Sequence, residues 1–567
     1  MQVERFVTIY TEHHHGPLYK DLQHIHNLVS ARLDLIQIAK SIKEKPIDDA
    51  LSLLEFKWLF NTTEQARIFR LRCLLRMGEV VDQQELPRLL VSLDRNDQRG
   101  NGARPPMQNY DFLFNELINR TLANASSRTF LLKASRETAL EDSFDLLWRR
   151  EERELLRPLC IVLDGVFDYG QDLGGIAQEF LQLCWRQALR PEAGKSRVSE
   201  IEVRLTNVAL VGLFEVEDDT RATWFSQFSP APLFKYEILG LLMALSVYNG
   251  FTLPVSFPPW LYSFLLARDY SLELDDIQQY WPSLASGLAK LRDFTETPDR
   301  TVEDLSLTYD YTIPALGETF HFDMQNELYD WEKEDVVKRT IMDHWESRDG
   351  LSDIKERVQH GADVTAKNRS AYIQDFLAWR FWYVVRWRLK AFTRGFWSVL
   401  PLHEMTFLEP ETLSVLVQGM HGGHKLSMMR LMRYTAYSGA YQERHENRLP
   451  RALQHFWNVV QAWDANQEDD EVVLQQKAER KVQFLKFVTA SERLPVAGEA
   501  GLSFNIAPAD IVIDENLSEE EQMRLAPLPT SSTCFSQLKL PQYASEAVLK
   551  AKLEKALDLG SAGFGLA

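Results

Sequence analysis

Residues 525–546 read LAPLPTSSTCFSQLKLPQYASE, and the last cysteine of the chain, Cys534, stands in the middle of them. Leu528-Pro529 stiffens the approach, because proline fixes its own φ and restricts the residue before it. Thr530, Ser531, Ser532 and Thr533 then supply four hydroxyl groups able to donate and accept hydrogen bonds. CFSQLKL reads as a short strand. SEAVLKAKLEKALDLG reads as a helix, with Ser545 as N-cap, Leu549, Leu553, Ala556 and Leu557 as one apolar stripe, and Gly560 as the C-terminal stop. The thiol is therefore expected at a loop-to-strand junction in a small α/β unit. A lone cysteine is most often a small buried hydrophobe, and a run of hydroxyls is an unusual setting for one.

The neighbourhood also narrows the chemistry. A nucleophilic cysteine acts as thiolate, and no Lys, Arg or His lies within four residues of Cys534 to lower its pKa. Peptide hydrolysis needs a general base that activates the thiol and then protonates an amine leaving group, a task given to histidine in papain-like sites. Here the last histidine is His455, well upstream, so a hydrolase would borrow one from another part of the chain. Thiol–thioester exchange is less demanding, since the leaving group is a thiol of similar pKa and the step is nearly thermoneutral. The residues favour acyl carriage over hydrolysis.

The totals fit that reading. With 567 residues the chain exceeds one compact core, and 63 Lys plus Arg against 81 Asp plus Glu gives a formal charge of −18. Such a balance disfavours sequence-independent nucleic-acid binding and anionic membrane surfaces, and points to protein partners. Cysteines at 73, 160, 184 and 534 have neither disulfide-framework nor zinc-site spacing, so no metal or other cofactor is expected, and the compartment is expected to be reducing. The N-terminal MQVERFVTIYTEHHHGPLYK lacks the basic-then-apolar pattern of a secretory signal. The longest apolar run, ILGLLMALSV at 238–247, is half a membrane span and is closed by Gly250 and Pro254, so it reads as a buried core helix.

Along the chain, residues 17–94 show helical spacing in LSLLEFKWLF and ARIFRLRCLLRM. DRNDQRGNGARPPMQ at 94–108 is the clearest linker, so residues 1–106 are taken as a helical N-terminal region and linker. From 107 to 486 the pattern is mainly helical, with short strand-like segments such as LCIVLDGVF at 159–167. The polar stretch 463–483 reads as a solvated helix with charged faces. After it FLKFVTASERLPVAG, LSFNIAP and DIVID read as strands and turns, which separates 487–567 as a small α/β lobe. The three histidines of TEHHHGP read as surface residues, and DLGG at 172–175 as structural glycines without phosphate-loop spacing.

LPTSSTCF, LKLPQY and the terminal AGFGLA occur in an order and spacing that resembles the HECT-type ubiquitin-protein ligases. The resemblance extends upstream through RETALEDSF (136–144), DLGGIAQEF (172–180), LSVYNGFTLPVSFPPWLY (245–262), DVTAKNRSAYIQDFLAWRF (363–381), AFTRGFWSVLP (391–401), HFWNVV (455–460) and FLKFVTASERLPVAG (484–498), covering about 128–567. It implies an α+β, mainly helical, two-lobed catalytic module, with a large helical N-lobe over 107–486, a small α/β C-lobe over 487–567 and a helical N-terminal extension. It implies that a ubiquitin-conjugating enzyme passes ubiquitin to Cys534 as a thioester, from which a substrate lysine takes it. It further implies a supporting role for Thr533, at the thioester carbonyl or in the turn, and a transfer role for Phe564, fourth from the C-terminus, with ordinary tail packing as its alternative.

By the same resemblance the conjugating enzyme docks between about 401 and 460, where Tyr434, Tyr437, Tyr441 and Trp457 are candidate anchors, each equally readable as core. The interlobe hinge is expected at Phe487, Val488 and Thr489. The implied partners are ubiquitin, a conjugating enzyme and substrate proteins, with no nucleic acid and no membrane span; the expected compartment is the cytoplasm, with the nucleus as an additional alternative. Two departures stand out: Ser532 occupies a position where many members have histidine, and TAS at 489–491 replaces the common Thr-Gly-Ser/Thr. The rival reading is a non-catalytic scaffold that keeps the fold and binds ubiquitin or the conjugating enzyme without turnover.

Overall fold

The computed structural model describes residues 59–81 and most of 130–561; residues 149, 166–174, 190–211, 299, 317, 326–329, 331, 348–361, 443–448, 467–468, 490–491, 496–497, 503, 510–512, 514–516 and 533–535 of the latter lie outside the described set, as do 1–58, 82–129 and 562–567. TEHHHGP, most of DLGG, Thr533, Cys534 and Phe564 therefore fall outside it.

The described elements are mainly helical with small sheets, an α+β fold. They begin with α1 (Thr62–Val81), β1 (Phe130–Ala134), α2 (Ala139–Leu147) and β2 (Leu159–Leu163), the strand expected within 159–167. β1 and β2 pair in parallel, Phe130 opposite Leu159. Then come α3 (Gly175–Ala188), the antiparallel pair β3 (Phe214–Val216) and β4 (Thr223–Phe225), and α4 (Leu233–Asn249).

The apolar run 238–247 lies in α4 and is buried on all sides. Apolar side chains around the whole circumference leave the helix no solvated face, so it becomes the axis of the first core. Gly250 ends it in the left-handed region at φ 91°, with its N–H on the Ser246 and Val247 carbonyls. Glycine adopts that backbone without a Cβ penalty. The Arg70 side chain of α1 covers this end, donating to the carbonyls of Gly250 at 2.9 Å and Val247 at 3.3 Å.

Around α4 are α5 (Pro259–Leu265), α6 (Pro282–Arg292), the hairpin β5 (Asp310–Ala315) and β6 (Glu318–Asp323), α7 (Val336–Ser347), α8 (Arg369–Ala378), α9 (Arg386–Val399) and α10 (Pro410–Gln418). Helices α4 and α9 touch backbone to backbone at a pair of glycines. A Cβ on Gly240 would lie 1.9 Å from the Phe392 carbonyl oxygen, and one on Gly395 would lie 1.7 Å from that of Glu237. Gly395→Ala is thus expected to destabilise the protein by about 2–3 kcal/mol through overpacking, despite the ~1 kcal/mol that alanine gains over glycine in helix propensity. A fall in the urea midpoint at unchanged slope checks this.

One apolar cluster runs from Phe60 to Val417, and a second from Leu426 to Leu557. The second is built from α11 (Met428–Tyr434), α12 (Arg451–Gln461), α13 (Glu471–Thr489) and, after the short α14 (Glu519–Leu525) at its edge, α15 (Glu546–Ser561), packed on a four-stranded sheet. That sheet orders as β11 (Thr530–Ser532), β12 (Gln537–Leu540), β10 (Asn505–Pro508) and β8 (Ala436–Tyr437). Both β8 and β12 run parallel to β10, and β11 closes antiparallel on β12. Between the clusters β7 (Met420–His421) pairs antiparallel with β9 (Arg493–Leu494), and Arg493 reaches back to Ser256 Oγ at 3.3 Å. Among the described residues no helix is long and apolar enough to cross a membrane.

The polar stretch 463–483 is less solvated than its charges suggest. The helix extends through Thr489, and Ala478, Lys481, Phe484, Leu485, Phe487 and Val488 form its buried side. The Lys481 ammonium is buried, donating to the Leu426 carbonyl at 2.8 Å and pairing with Asp464 at 3.2 Å. Asp464 also accepts from the N–H groups of Met428 and Met429 at the start of α11. Burial raises the Asp464 pKa, but those bonds and Lys481 outweigh it and hold the carboxyl below the usual range.

Candidate active site

The described residues on either side of the cysteine are held one by one. Ser518 and Glu521 form a capping box that starts α14, satisfying two orphan helix donors. The chain then leaves as Ala526-Pro527-Leu528-Pro529. Its carbonyls do not face solvent unaided: Lys552 Nζ donates to Ala526 O at 2.5 Å and Tyr543 Oη to Pro527 O at 2.6 Å. The tyrosine of LKLPQY thus fixes the entry to LPTSSTCF. Burial pushes the Lys552 pKa down, with the Lys555 charge adding to it.

β11 and β12 pair Thr530 with Lys539, Ser531 with Leu538 and Ser532 with Gln537. Residues 533–536 therefore connect the two strands, and Cys534 belongs to that connection. At its entry Ser531 Oγ donates to the Phe487 carbonyl at 2.6 Å. That carbonyl belongs to the last turn of α13, where helix carbonyls lack intrahelical partners. At its exit Ser536 has φ 45°, in the left-handed region. Serine is a poor occupant there, and asparagine or glycine a better one. Ser536→Asn is accordingly expected to stabilise the molecule by about 0.5–1 kcal/mol, read as a small upward shift in the denaturation midpoint.

β12 continues into the sheet. Asn505 N–H donates to Ser536 O at 3.1 Å, and Asn505 lies opposite Gln537. On the other side of β10 the Asn505 carboxamide meets the Ser438 hydroxyl, with Nδ2 at 2.6 Å and Oδ1 at 2.9 Å. The stripe expected on α15 is present: Leu549, Leu553, Ala556 and Leu557 are all buried. The Ser545 hydroxyl accepts from Val548 N–H as expected of a cap, while the helix runs to Ser561, one residue past Gly560.

Other sequence-based assignments find different places. Tyr441 is 1% exposed and donates to the Leu540 carbonyl at 2.9 Å; burial pushes its phenol up to about 12. Trp457 is 2% exposed, and its indole N–H donates to the Tyr437 hydroxyl at 3.0 Å. Tyr441 and Trp457 are core residues in this conformation, with no surface left for a partner. Tyr437 is half-buried in β8, and Tyr434 half-buried at the end of α11. The span 401–460 is shared between both apolar clusters. Phe487 and Val488 are buried in α13, and Thr489 closes that helix with its hydroxyl on the Leu485 carbonyl. These three form the last residues of that helix.

His455, far from Cys534 in sequence, lies on α12 in the same packed body as the cysteine-bearing hairpin. Its Nδ1 is buried and has no hydrogen-bond partner among the described residues. Among those residues no group of three or more His, Cys, Asp or Glu is arranged to hold a metal.

The model of the HECT-domain (ubiquitin-transferase) family matches residues 204–567, which take in the whole second apolar cluster and the first apart from its elements before residue 204. The chain belongs to the HECT-domain family. Among curated proteins it is similar to the probable E3 ubiquitin-protein ligase HECTD2 of Pongo abelii, 27% identical over 499 residues, covering 84% of this chain and 51% of the relative. The human HECTD2 protein is 28% identical over 455 residues, covering 77% and 46%. The probable E3 ubiquitin-protein ligase HERC4 of Homo sapiens is 26% identical over 440 residues, covering 77% and 33%. The chain spans about half the length of the HECTD2 relatives and a third of HERC4. Helix α1 lies outside the span matched to the HECT family, although it is docked on α4, α9 and α10.

Proposed function

We propose that this HECT-family chain is an active ubiquitin-protein ligase that carries ubiquitin as a thioester on Cys534. The observation that supports it best is the tethering of the β11–β12 connection at both ends, in a family whose motif LPTSSTCF puts the cysteine there. In the first step the Cys534 thiolate Sγ attacks the C-terminal carbonyl carbon of ubiquitin. A new C–S bond forms, the C–S bond to the conjugating enzyme breaks, and that enzyme's cysteine leaves as thiolate. In the second step a lysine amine of the substrate forms a C–N bond to the same carbon. Cys534 leaves with the electron pair, and the amine proton passes to solvent or a base. Both steps exchange groups without oxidant, reductant or metal.

Thr533 is proposed to support the thioester and Phe564 to assist transfer. The proposed partners are ubiquitin, a conjugating enzyme and substrate proteins, and the proposed compartment is the cytoplasm, with the nucleus as an additional alternative. The test is discharge: a panel of conjugating enzymes charged with labelled ubiquitin is mixed with the protein, and the products are separated with and without reductant. A reductant-sensitive adduct followed by isopeptide-linked ubiquitin supports ligation. Binding of a charged conjugating enzyme with no adduct from any of the panel supports the scaffold reading, and release of free ubiquitin as the sole product supports a hydrolase.

A further inference from the structure

The chain passes from the first apolar body to the second at Gly419. Just before it, the end of α10 is tied into the first body. Gln418 Oε1 accepts from Phe257 N–H at 3.1 Å, Gln418 Nε2 donates to Ser414 Oγ at 2.8 Å, and the Val417 carbonyl accepts from Leu253 N–H at 2.7 Å. Just after it, Met420 and His421 pair with Leu494 and Arg493, so β7 goes with the second body. Gly419 itself has φ 74° and ψ 177°, and a Cβ there would run into the Leu494 carbonyl oxygen. Its two torsions are the covalent joint at this crossing.

The side chain of Arg493 spans the same joint. Its backbone stays in the β7–β9 ladder of the second body, while its guanidinium donates to Ser256 Oγ of the first at 3.3 Å. Ser256 is held in turn, since its carbonyl accepts from Thr223 N–H of β4 at 2.9 Å. The guanidinium also lies close to the phenols of Tyr262 on α5 and Tyr280 before α6. Burial pushes both phenols up, and the Arg493 charge works against that push. Burial pulls the Arg493 pKa down as well. A cation drawn partly out of water recovers interaction from these hydroxyl groups only while the bodies keep this orientation.

We infer that Arg493 is a latch between the two bodies: its side chain, seated against Ser256, Tyr262 and Tyr280, selects the orientation described, and its release frees the second body to turn about Gly419. Such a contact shifts the balance of orientations only by its own differential interaction. For a hydrogen bond to a charged group that is about ten- to a hundredfold. The consequence for ligation rests on the proposed role of Cys534 as ubiquitin carrier. The second body holds the β11–β12 pair that flanks the cysteine, so its orientation decides which protein the carrier faces.

The experiment compares wild type with Arg493→Ala, Ser256→Ala and Arg493→Lys. All three leave the β7–β9 backbone ladder in place and change the side-chain contact itself. Spin labels are attached through an azide-bearing amino acid at two exposed positions, Lys290 on the first body and Gln475 on the second, so that no cysteine is altered. Their distance distribution is measured by pulsed electron resonance, together with the thermal midpoint. Wild type should show one dominant distance. In Arg493→Ala the ratio of latched to released molecules should fall about ten- to a hundredfold, seen as a second or broadened distance at a thermal midpoint near wild type. Ser256→Ala should shift the same way by less, and Arg493→Lys should lie between wild type and alanine. Loading of ubiquitin from a charged conjugating enzyme and its discharge to free lysine are timed separately. Arg493→Ala should speed one and slow the other, because a shifted population favours one orientation at the expense of the other.

A wild-type distance distribution in Arg493→Ala would overturn the inference. So would a broadened distribution accompanied by a clearly lower thermal midpoint and equal slowing of both half-reactions, which together mark general loosening. If wild type itself forms no adduct, the ligase reading fails, and the distance distributions still decide the latch.

Discussion

Glu404→Gln is expected to raise the alkylation rate of Cys73 by about 10²–10³-fold while leaving Cys184 protected. Arg72 and Glu404 are both almost fully buried and form a two-pronged pair, Nε to Oε2 at 2.6 Å and Nη2 to Oε1 at 2.8 Å. Removing the Glu404 charge leaves Arg72 buried with only the half-exposed Glu79, 3.7 Å away, to offset it; breaking such a buried pair costs about 3–5 kcal/mol, whereas removing both charges in favour of well-packed apolar residues is often neutral. The cost falls on the docking of α1, because Arg72 is on that helix and Glu404 on the body it covers. Among the described residues α1 is also tied by Arg70 on the end of α4, by Arg76 on the Val399 carbonyl and Glu152, and by Gln65 accepting from Thr412 Oγ1 and Glu409 N–H.

Cys73 reports the opening because it is buried on α1 and its thiol is pushed up to about 12 by that burial. Cys184, buried beside Ser143 in the first core, reports global unfolding instead. The double variant Arg72→Met with Glu404→Leu should return Cys73 to near wild-type protection. An unchanged Cys73 rate in Glu404→Gln would mean that the pair does not hold the helix.

The same pair sets a pH dependence. Burial pushes the Glu404 carboxyl up, but the hydrogen bonds and charge of Arg72, with Arg76 and His403 nearby, outweigh it and hold the carboxyl below the ordinary glutamate range. A carboxyl depressed in the folded state stabilises fully above its unfolded pKa, and that contribution is lost as pH falls through the folded value. Helix α1 is therefore expected to stay docked through neutral pH and to loosen only in acid. Hydrogen exchange across 62–81 as a function of pH reads this directly.

What the sequence reveals follows the range of the interactions involved. The buried helix at 238–247 and its stop at Gly250 are legible because an all-apolar run and a helix-ending glycine are local signals. The stripe on α15 and the strand after the cysteine are legible for the same reason. FLKFV at 484–488 misleads as the start of a strand: its aromatic and β-branched residues suit one, yet Phe484, Leu485, Phe487 and Val488 share the buried side of α13. Tertiary packing overrides local preference there.

Tyr441 and Trp457 read as anchors while their partners are unknown. Both are buried in the second core, and their polar ends meet Leu540 and Tyr437, which the sheet brings alongside. The tie between Ser438 and Asn505 leaves no local trace, because neither residue type signals a pair across so long a separation. Around the cysteine, the motif order and the hydroxyl run are readable in the chain. The anchors that use those hydroxyls, such as Ser531 on the Phe487 carbonyl, require the fold.

The central claim is that Cys534 carries ubiquitin, and its most direct test is the chemistry of the bond. Wild type, Cys534→Ala and Cys534→Ser are each given one turnover with a labelled, ubiquitin-charged conjugating enzyme, then treated with thiol or with hydroxide. Wild type should form an adduct that thiol removes. Cys534→Ser should form, more slowly, an oxyester that resists thiol and yields to hydroxide, and Cys534→Ala should form none. Steady-state ligation by the alanine variant should fall by about 10³-fold or more, as expected when a covalent nucleophile is deleted. A thiol-sensitive adduct that persists in Cys534→Ala would contradict the account and place the carrier at another cysteine.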